Sequence, residues 1–336
     1  MSQSQEDVKP LIIESFNIMA DDYISQNNVW KATAYKKAIK ALDSVASVHT
    51  IEDIKGVPGF GKSLTAKVQE IIKTHHLKAA EEAKCSKTML AVKELTSIHG
   101  IGIQKARKLI EANILSIADL KVAFEKDPTL LHEQQQIGLE YYEDIKQRIP
   151  QAEMQKHLEF LKTVMDRISS TARLEVVGSF RRNAKFSGDV DVLITDYPDN
   201  DKLLNQFLEA LREENYLLPH SKLSKGSVKY CGIARLPNAS KHSPVRRLDI
   251  LYTHPYEYPF ALLYFTGSGE FNKEMRAHAL KLGYSLNQKN IQHKDTSIIV
   301  DMEEHKFQSE KDIFDFLHLK YFDPPDRKAG NVIHIV

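Results

Sequence analysis

The chain is poor in the residues that staple or anchor a protein. Only two of its 336 residues are cysteines, Cys85 and Cys231, far apart and in no paired spacing. That excludes a disulfide framework and a thiolate zinc site. No apolar run approaches the roughly 20 residues that cross a bilayer, so no membrane span is expected. The opening, Met1 to Pro10, is polar and acidic where a signal peptide is basic and then apolar. The expectation is an intracellular protein in a reducing compartment. Net charge is also lacking: 46 Lys and Arg face 45 Asp and Glu, for a net of +1, so no global basic character marks an anionic partner.

What is present is a composition of 42% hydrophobic and 27% charged residues, ordinary for a globular chain long enough for two or three domains. The charge is uneven. Between Lys31 and Lys78 nine lysines stand against four acids, a local net of +5, and local charge is what an anionic partner feels. By itself this stretch reads equally well as a solvated basic face.

From about Leu11 to Ile149 apolar residues recur at three and four, with breaks at Gly and Pro clusters, which predicts an all-helical region. After Pro150, β-branched runs at Leu174 to Val177, Asp189 to Thr195 and Arg246 to Tyr252 alternate with helical stretches. They predict a mixed sheet with packed helices and a domain boundary near Ile149 and Pro150. A turn-rich stretch from Thr266 to Gly269 precedes an amphipathic helix from about Asn272 to Leu282, and the tail beyond Tyr321 ends in an alternating apolar run.

Two segments of the helical region repeat one device. Gly59-Phe60-Gly61 runs into a helix from Lys62, and Gly100-Ile101-Gly102 runs into another. Glycines permit a tight turn and close approach of backbone to a partner, and the following helix offers free N–H groups to phosphate. One such turn is ordinary; two, each followed by lysines, read as helix-hairpin-helix units that grip a DNA backbone without reading its sequence. On the helix from Lys62 the apolar stripe is Leu64, Val68, Ile71 and Ile72, which puts Lys67 on its border at about 100° per residue. A border lysine can be desolvated and serve as a Schiff-base amine, or it can snorkel to a phosphate. Spacing alone favours the second.

The sharpest pattern is Gly178-Ser179-Phe180-Arg181-Arg182 followed by Gly188-Asp189-Val190-Asp191. On a strand, residues two apart share a face, so Asp189 and Asp191 present two carboxylates together. Facing carboxylates repel unless a cation lies between them, and such oxygen donors suit Mg²⁺. Asp249, in Arg246-Arg247-Leu248-Asp249, joins them if its strand lies beside theirs. Three acids holding two metals suit phosphoryl transfer, with Asp249 nearest an attacking 3′-hydroxyl and able to accept its proton. Ser179 and Arg182 suit phosphate contacts, and Gly188 lets the chain pass close to a nucleotide.

Together these residues resemble the X family of DNA polymerases, over nearly the whole chain. Gly178-Ser-Phe-Arg-Arg with Gly188-Asp-Val-Asp resembles the family's palm signature, and Tyr264-Phe265-Thr266-Gly267-Ser268 with Phe271-Asn272-Lys273 resembles its nucleotide-pocket signature. The implied architecture is multidomain, α and α+β. A helical lyase and DNA-binding domain (1–85) precedes a helical duplex-binding subdomain (86–149), a nucleotidyltransferase-type palm with a mixed sheet (150–257) and a C-terminal α+β subdomain (258–336). The implied function is template-directed filling of short DNA gaps, as in base excision repair, with 5′-deoxyribose-phosphate lyase activity.

The resemblance makes Asp189, Asp191 and Asp249 the ligands of two Mg²⁺ ions, with Mn²⁺ as a substitute, and implies a monovalent cation at the hairpins. Arg148, Ser179, Arg182 and Gly188 would hold the dNTP triphosphate, Tyr264 and Phe265 the sugar, and Asn272 the minor-groove edge of the incoming base, with Gly267 in the same nucleotide pocket. DNA contacts would come from Trp30, Lys31, Tyr35, Gly59, Gly61, Lys62, Gly100, Gly102, Lys225, Arg247 and Arg276. Lys67 matches the Schiff-base lysine, against the reading from spacing alone. Implied partners are gapped or nicked duplex DNA and repair factors such as a ligase, with no membrane. The implied state is a monomer, in a nucleus if eukaryotic or in a cytoplasm or virion if viral.

Four departures from the family pattern stand out. Trp30 replaces a histidine that stacks on a template base and keeps a stacking surface, while Ser63 replaces a phosphate-binding lysine; both bear on lyase strength. Gly269 replaces an acidic residue bordering the incoming base, and Gln288 replaces a glutamate of the closing motion. Altered fidelity is expected, and a misinsertion assay in which Gly269→Asp equals the parent would remove that expectation. The alternatives are a template-independent nucleotidyltransferase, which has no need of duplex-gripping hairpins, and a non-catalytic binder of gapped DNA, against which the three carboxylates argue.

Overall fold

Alternation of period-3.6 and period-2 patterns is the main determinant of the fold, seen here in a computed structural model that describes residues 6–240, 242–300 and 306–327. The alternating run at the end of the chain lies outside those residues. The helices in the first part are α1 (Lys9–Ser25), α2 (Val29–Ala41), α3 (Lys62–Thr74), α4 (Lys78–Lys84), α5 (Lys87–Thr96), α6 (Ile103–Glu111), α7 (Ile117–Lys126), α8 (Glu133–Glu140) and α9 (Tyr142–Lys146). β1 (Ile149–Pro150), α10 (Gln151–Ile168), β2 (Arg173–Val176), α11 (Gly178–Arg181), β3 (Phe186–Ser187), β4 (Val190–Thr195), α12 (Leu203–Glu213), β5 (Leu217–Lys225), β6 (Lys229–Ala234) and β7 (Arg246–Tyr252) follow. The last elements are α13 (Tyr258–Thr266), α14 (Gly269–Lys281), β8 (Tyr284–Leu286), β9 (Ile291–His293) and α15 (Glu310–Phe316). No described helix is long and apolar enough to cross a membrane.

The chain divides into two compact units, Met1–Gln135 and Gln136–Val336. In the first, Ile12, Phe16, Leu64, Val68 and Ile71 close a core among α1 to α4, so the stripe read from the sequence is the buried face of α3. The division falls earlier than the change of pattern at Ile149 and Pro150. Ile137, Tyr141 and Ile145 pack on Leu223 and Ile233 of the sheet and on Val245 just before β7, so α9 and most of α8 go with the second unit although their pattern is helical.

The second unit is built on a five-stranded mixed sheet in the order β2-β4-β7-β6-β5. Only β4 and β7 run parallel; the other pairs are antiparallel. Inward residues Val190, Val192, Leu248 and Ile250 meet Leu161, Phe207 and Leu211 of α10 and α12 in one core. A second core, from Phe260 to Leu319, lies among α13, α14, α15 and the β8-β9 ribbon.

Candidate active site

The three predicted carboxylates converge. β4 and β7 are parallel neighbours in a register that sets Asp191 directly beside Asp249, and Asp189 enters just before β4. One oxygen from each lies within 4.8 Å of the others. Arg247 ion-pairs with Asp189 and brings its Nε to 3.8 Å from Asp249 Oδ1. Both of those atoms are buried without a hydrogen-bond partner. Arg247, proposed from the family as a DNA contact, is thus held inside the cluster.

Burial, and then the neighbouring Asp249 charge, push the Asp191 carboxyl up to about 6, against the pull of Lys229 and Arg182. Uncompensated negative charge of this kind, with an orphaned carboxylate oxygen beside it, fits a divalent cation with oxygen ligands. A carboxyl raised in the folded state contributes stability that is complete below its unfolded value and lost as pH rises through the folded one. The protein in chelator should therefore lose about 3 kcal/mol through this group between about pH 4 and 7, at 1.36 kcal/mol per pKa unit. Urea unfolding of the parent and Asp191→Asn in EDTA checks this, and a difference between them that stays constant with pH would refute it.

The turn after β2 packs against this cluster. Gly178 has φ +61°, and a Cβ there would stand 2.5 Å from Asp191 Oδ2, so only glycine lets α11 start so close to the carboxylate. Ser179 donates its hydroxyl hydrogen bond to Ser187 Oγ at 2.9 Å. Arg148 donates to the Phe186 carbonyl at 2.9 Å, and a Cβ on Gly188 would lie 3.4 Å from its Nη1. Arg182 donates to the Thr266 carbonyl. Gly267, with φ +70°, admits that guanidinium at 3.1 Å from the place of a Cβ.

Beyond the turn Ser268 caps α14 by accepting from Phe271 N–H. Asn272 Nδ2 donates to the Tyr264 carbonyl at 2.7 Å, Arg276 lies over the Tyr264 ring at 4.7 Å, and Phe265 meets that ring edge-on. Arg181, which the sequence left without a role, bridges elements. It donates to both Glu310 oxygens at 2.8 and 3.0 Å and to Thr266 Oγ1, while buried Arg327 shares Glu310 Oε1 at 2.6 Å. No local pattern signals a contact across 129 residues.

In the first unit the two hairpins share one geometry. Gly59 and Gly100 have φ +95° and +85°, while Gly61 and Gly102 are extended N-caps at φ −78° and −87°. A Cβ at Gly61 or Gly102 would meet nothing, and neither α3 nor α6 has a side-chain cap. Packing therefore does not require those two glycines, and the first-turn N–H groups stay open to a partner. Lys62 and Lys225 are exposed, as is Trp30, 90% accessible near the start of α2.

Lys67 is half-buried at the border of the α3 stripe, as its spacing predicts. Tyr35 is buried and stacks on Tyr23 at 5.7 Å. Lys31 lies over the Tyr23 ring at 4.9 Å. Tyr23 was missed from sequence, where a tyrosine on an apolar helix reads as core. None of the hydrogen bonds or ion pairs seen among the described residues involves Lys67.

Four family models match the chain: "Helix-hairpin-helix domain" over residues 7–77, "Fingers domain of DNA polymerase lambda" over 93–146, "DNA polymerase beta palm" over 148–255 and "DNA polymerase beta thumb" over 261–328. DNA polymerase lambda of Rattus norvegicus is 31% identical over 331 residues, covering 94% of this chain and 56% of the relative. DNA polymerase lambda of Arabidopsis thaliana is 27% identical over 338 residues, covering 96% and 62%. The chain thus spans between about half and two thirds of the length of these relatives. With a carboxylate triad on adjacent parallel strands, paired glycine hairpins and four successive matches along its length, the chain belongs to the X family of DNA polymerases.

Proposed function

We propose that the chain is a DNA-directed DNA polymerase that fills short gaps using dNTPs, and that its first unit carries 5′-deoxyribose-phosphate lyase activity through Lys67. The observation that carries the polymerase reading is the register pairing Asp191 with Asp249, with Asp189 in the same cluster. Two Mg²⁺ ions bound there would lower the pKa of a primer 3′-hydroxyl and stabilise the pyrophosphate leaving group, with Mn²⁺ able to replace them.

The chain's own groups do the rest. Asp249 is the proton acceptor nearest the primer end. Ser179, Arg182, Arg148 and the backbone at Gly188 bind the triphosphate, Arg182 through a guanidinium held by the Thr266 carbonyl. Tyr264 and Phe265, packed edge to face, wall the sugar, and Asn272 orients the incoming base. The open helix starts at Gly61 and Gly102 bind the phosphodiester backbone of gapped or nicked duplex, with a monovalent cation, and exposed Trp30 stacks on a template base. Lys31 and Tyr35, joined through Tyr23, flank the 5′-phosphate. The enzyme acts as a monomer in base excision repair, alongside a ligase.

The test is a one-nucleotide gap bearing a 5′-deoxyribose phosphate, with extension and borohydride trapping followed on the same substrate. The parent should do both. Lys67→Ala should lose trapping by about 10²-fold or more, the scale of a removed covalent nucleophile set against general catalysis, and keep extension within about twofold. Trapping that survives Lys67→Ala would assign the Schiff base to another amine.

A further inference from the structure

Cys231 lies in β6 directly across from Asp249, and opposed residues of an antiparallel pair project on the same face about 5 Å apart. On one side it packs in the apolar cluster of Ile137, Leu223, Ile233 and Val245. On the other it faces the Asp249 side chain across the strand pair. It is 6% exposed. Asp249 has few other restraints: its Oδ1 has no hydrogen-bond partner, and the guanidinium nearest to it is engaged by Asp189.

An apolar core filler at this position would leave the Asp249 side chain free to rotate. A thiol, kept protonated by burial and able to donate through S–H, restrains it. We propose that Cys231 is a positioning residue, whose S–H orients the Asp249 carboxylate toward the divalent cation of the three-carboxylate cluster. The inference rests on the polymerase reading for the purpose of that cation, though not for its binding. Groups that orient metal ligands typically contribute 10–100-fold to metal affinity or activity. A thiol is a weak donor, so about tenfold is expected.

The discriminating variants are Cys231→Val, which keeps the apolar contacts without a donor, and Cys231→Ser, which keeps a donor but loses apolar bulk. Mn²⁺ affinity is read on the full chain by electron paramagnetic resonance, beside gap filling. Val should bind Mn²⁺ about tenfold more weakly and lower kcat by a similar factor, with the KM for dNTP unchanged; Ser should stay within about twofold of the parent. Should Val fail to fold, Cys231→Ala carries the same expectation.

Val binding Mn²⁺ like the parent, or Ser losing as much as Val, would overturn the inference in favour of simple packing. A parent with no Mn²⁺ occupancy at millimolar concentration would overturn it too. If the parent binds Mn²⁺ yet does not extend, the polymerase reading fails, and the Val and Ser affinities still decide the role of Cys231.

Discussion

Replacing Asp249 by alanine is expected to reduce primer extension by about 10³-fold or more while leaving borohydride trapping at Lys67 within about twofold. Metal assistance to phosphoryl transfer is worth several kcal/mol, and each 1.36 kcal/mol is a decade in rate. Asp249 lies beside Asp191 in register and in one cluster with Asp189, so on the proposed reading its loss removes a ligand and a proton acceptor together. On the proposed reading trapping depends on α3, in the other compact unit, and serves as the internal control for folding and DNA binding. Single-turnover extension measures the effect. A loss smaller than tenfold would show that the triad does not carry the chemistry.

Arg246→Met should destabilise the second unit by about 3 kcal/mol, within the range for breaking a buried pair by removing one partner. Arg246 is 5% exposed, donates from Nε and Nη2 to the two Glu153 oxygens at 2.6 and 2.8 Å, and from Nη1 to the Gln147 carbonyl at 3.2 Å. It therefore ties β7, the Asp249 strand, to α10 and to the end of α9. Burial alone raises the Glu153 carboxyl, but the His157 ring 3.8 Å away and the Arg246 hydrogen bonds and charge hold it at about 2.

That depressed value gives stability present above the unfolded carboxyl pKa and lost as pH falls toward 2. Arg246→Met should lose this acid sensitivity as well as stability at neutral pH, and Glu153→Gln added to it should restore part of the latter by removing the unpaired charge. Urea midpoints at neutral and acid pH read both. Equal stability of parent and Arg246→Met would show that the pair is merely tolerated.

Several features were legible without coordinates because they depend on short-range spacing. The stripe Leu64, Val68, Ile71 set the buried face of α3 and the border position of Lys67. Alternation set the strands at 173–176, 190–195 and 246–252 to within a residue or two, and the glycine pairs marked both hairpins. The β5-β6 hairpin and the β8-β9 ribbon were not read as separate strands. Polar residues such as His220, Ser221 and Lys222 interrupt the alternation of β5, and bulges shift its register against β6.

The sequence by itself determined which residues turn, which faces are apolar and which acids share a strand face, because those follow from the 3.6 and 2 residue periods and from glycine's freedom at positive φ. Only the tertiary structure decided who stands beside whom. Periodicity assigns Asp249 to a face but not β7 to the side of β4, and strand adjacency arises from the packing of whole elements on one core. The same limit hid Arg247 against Asp189, Cys231 across from Asp249, Arg181 and Arg327 on Glu310, and the docking of residues 136–149 on the sheet. Each is a contact between distant segments, and no local propensity distinguishes it from the alternatives.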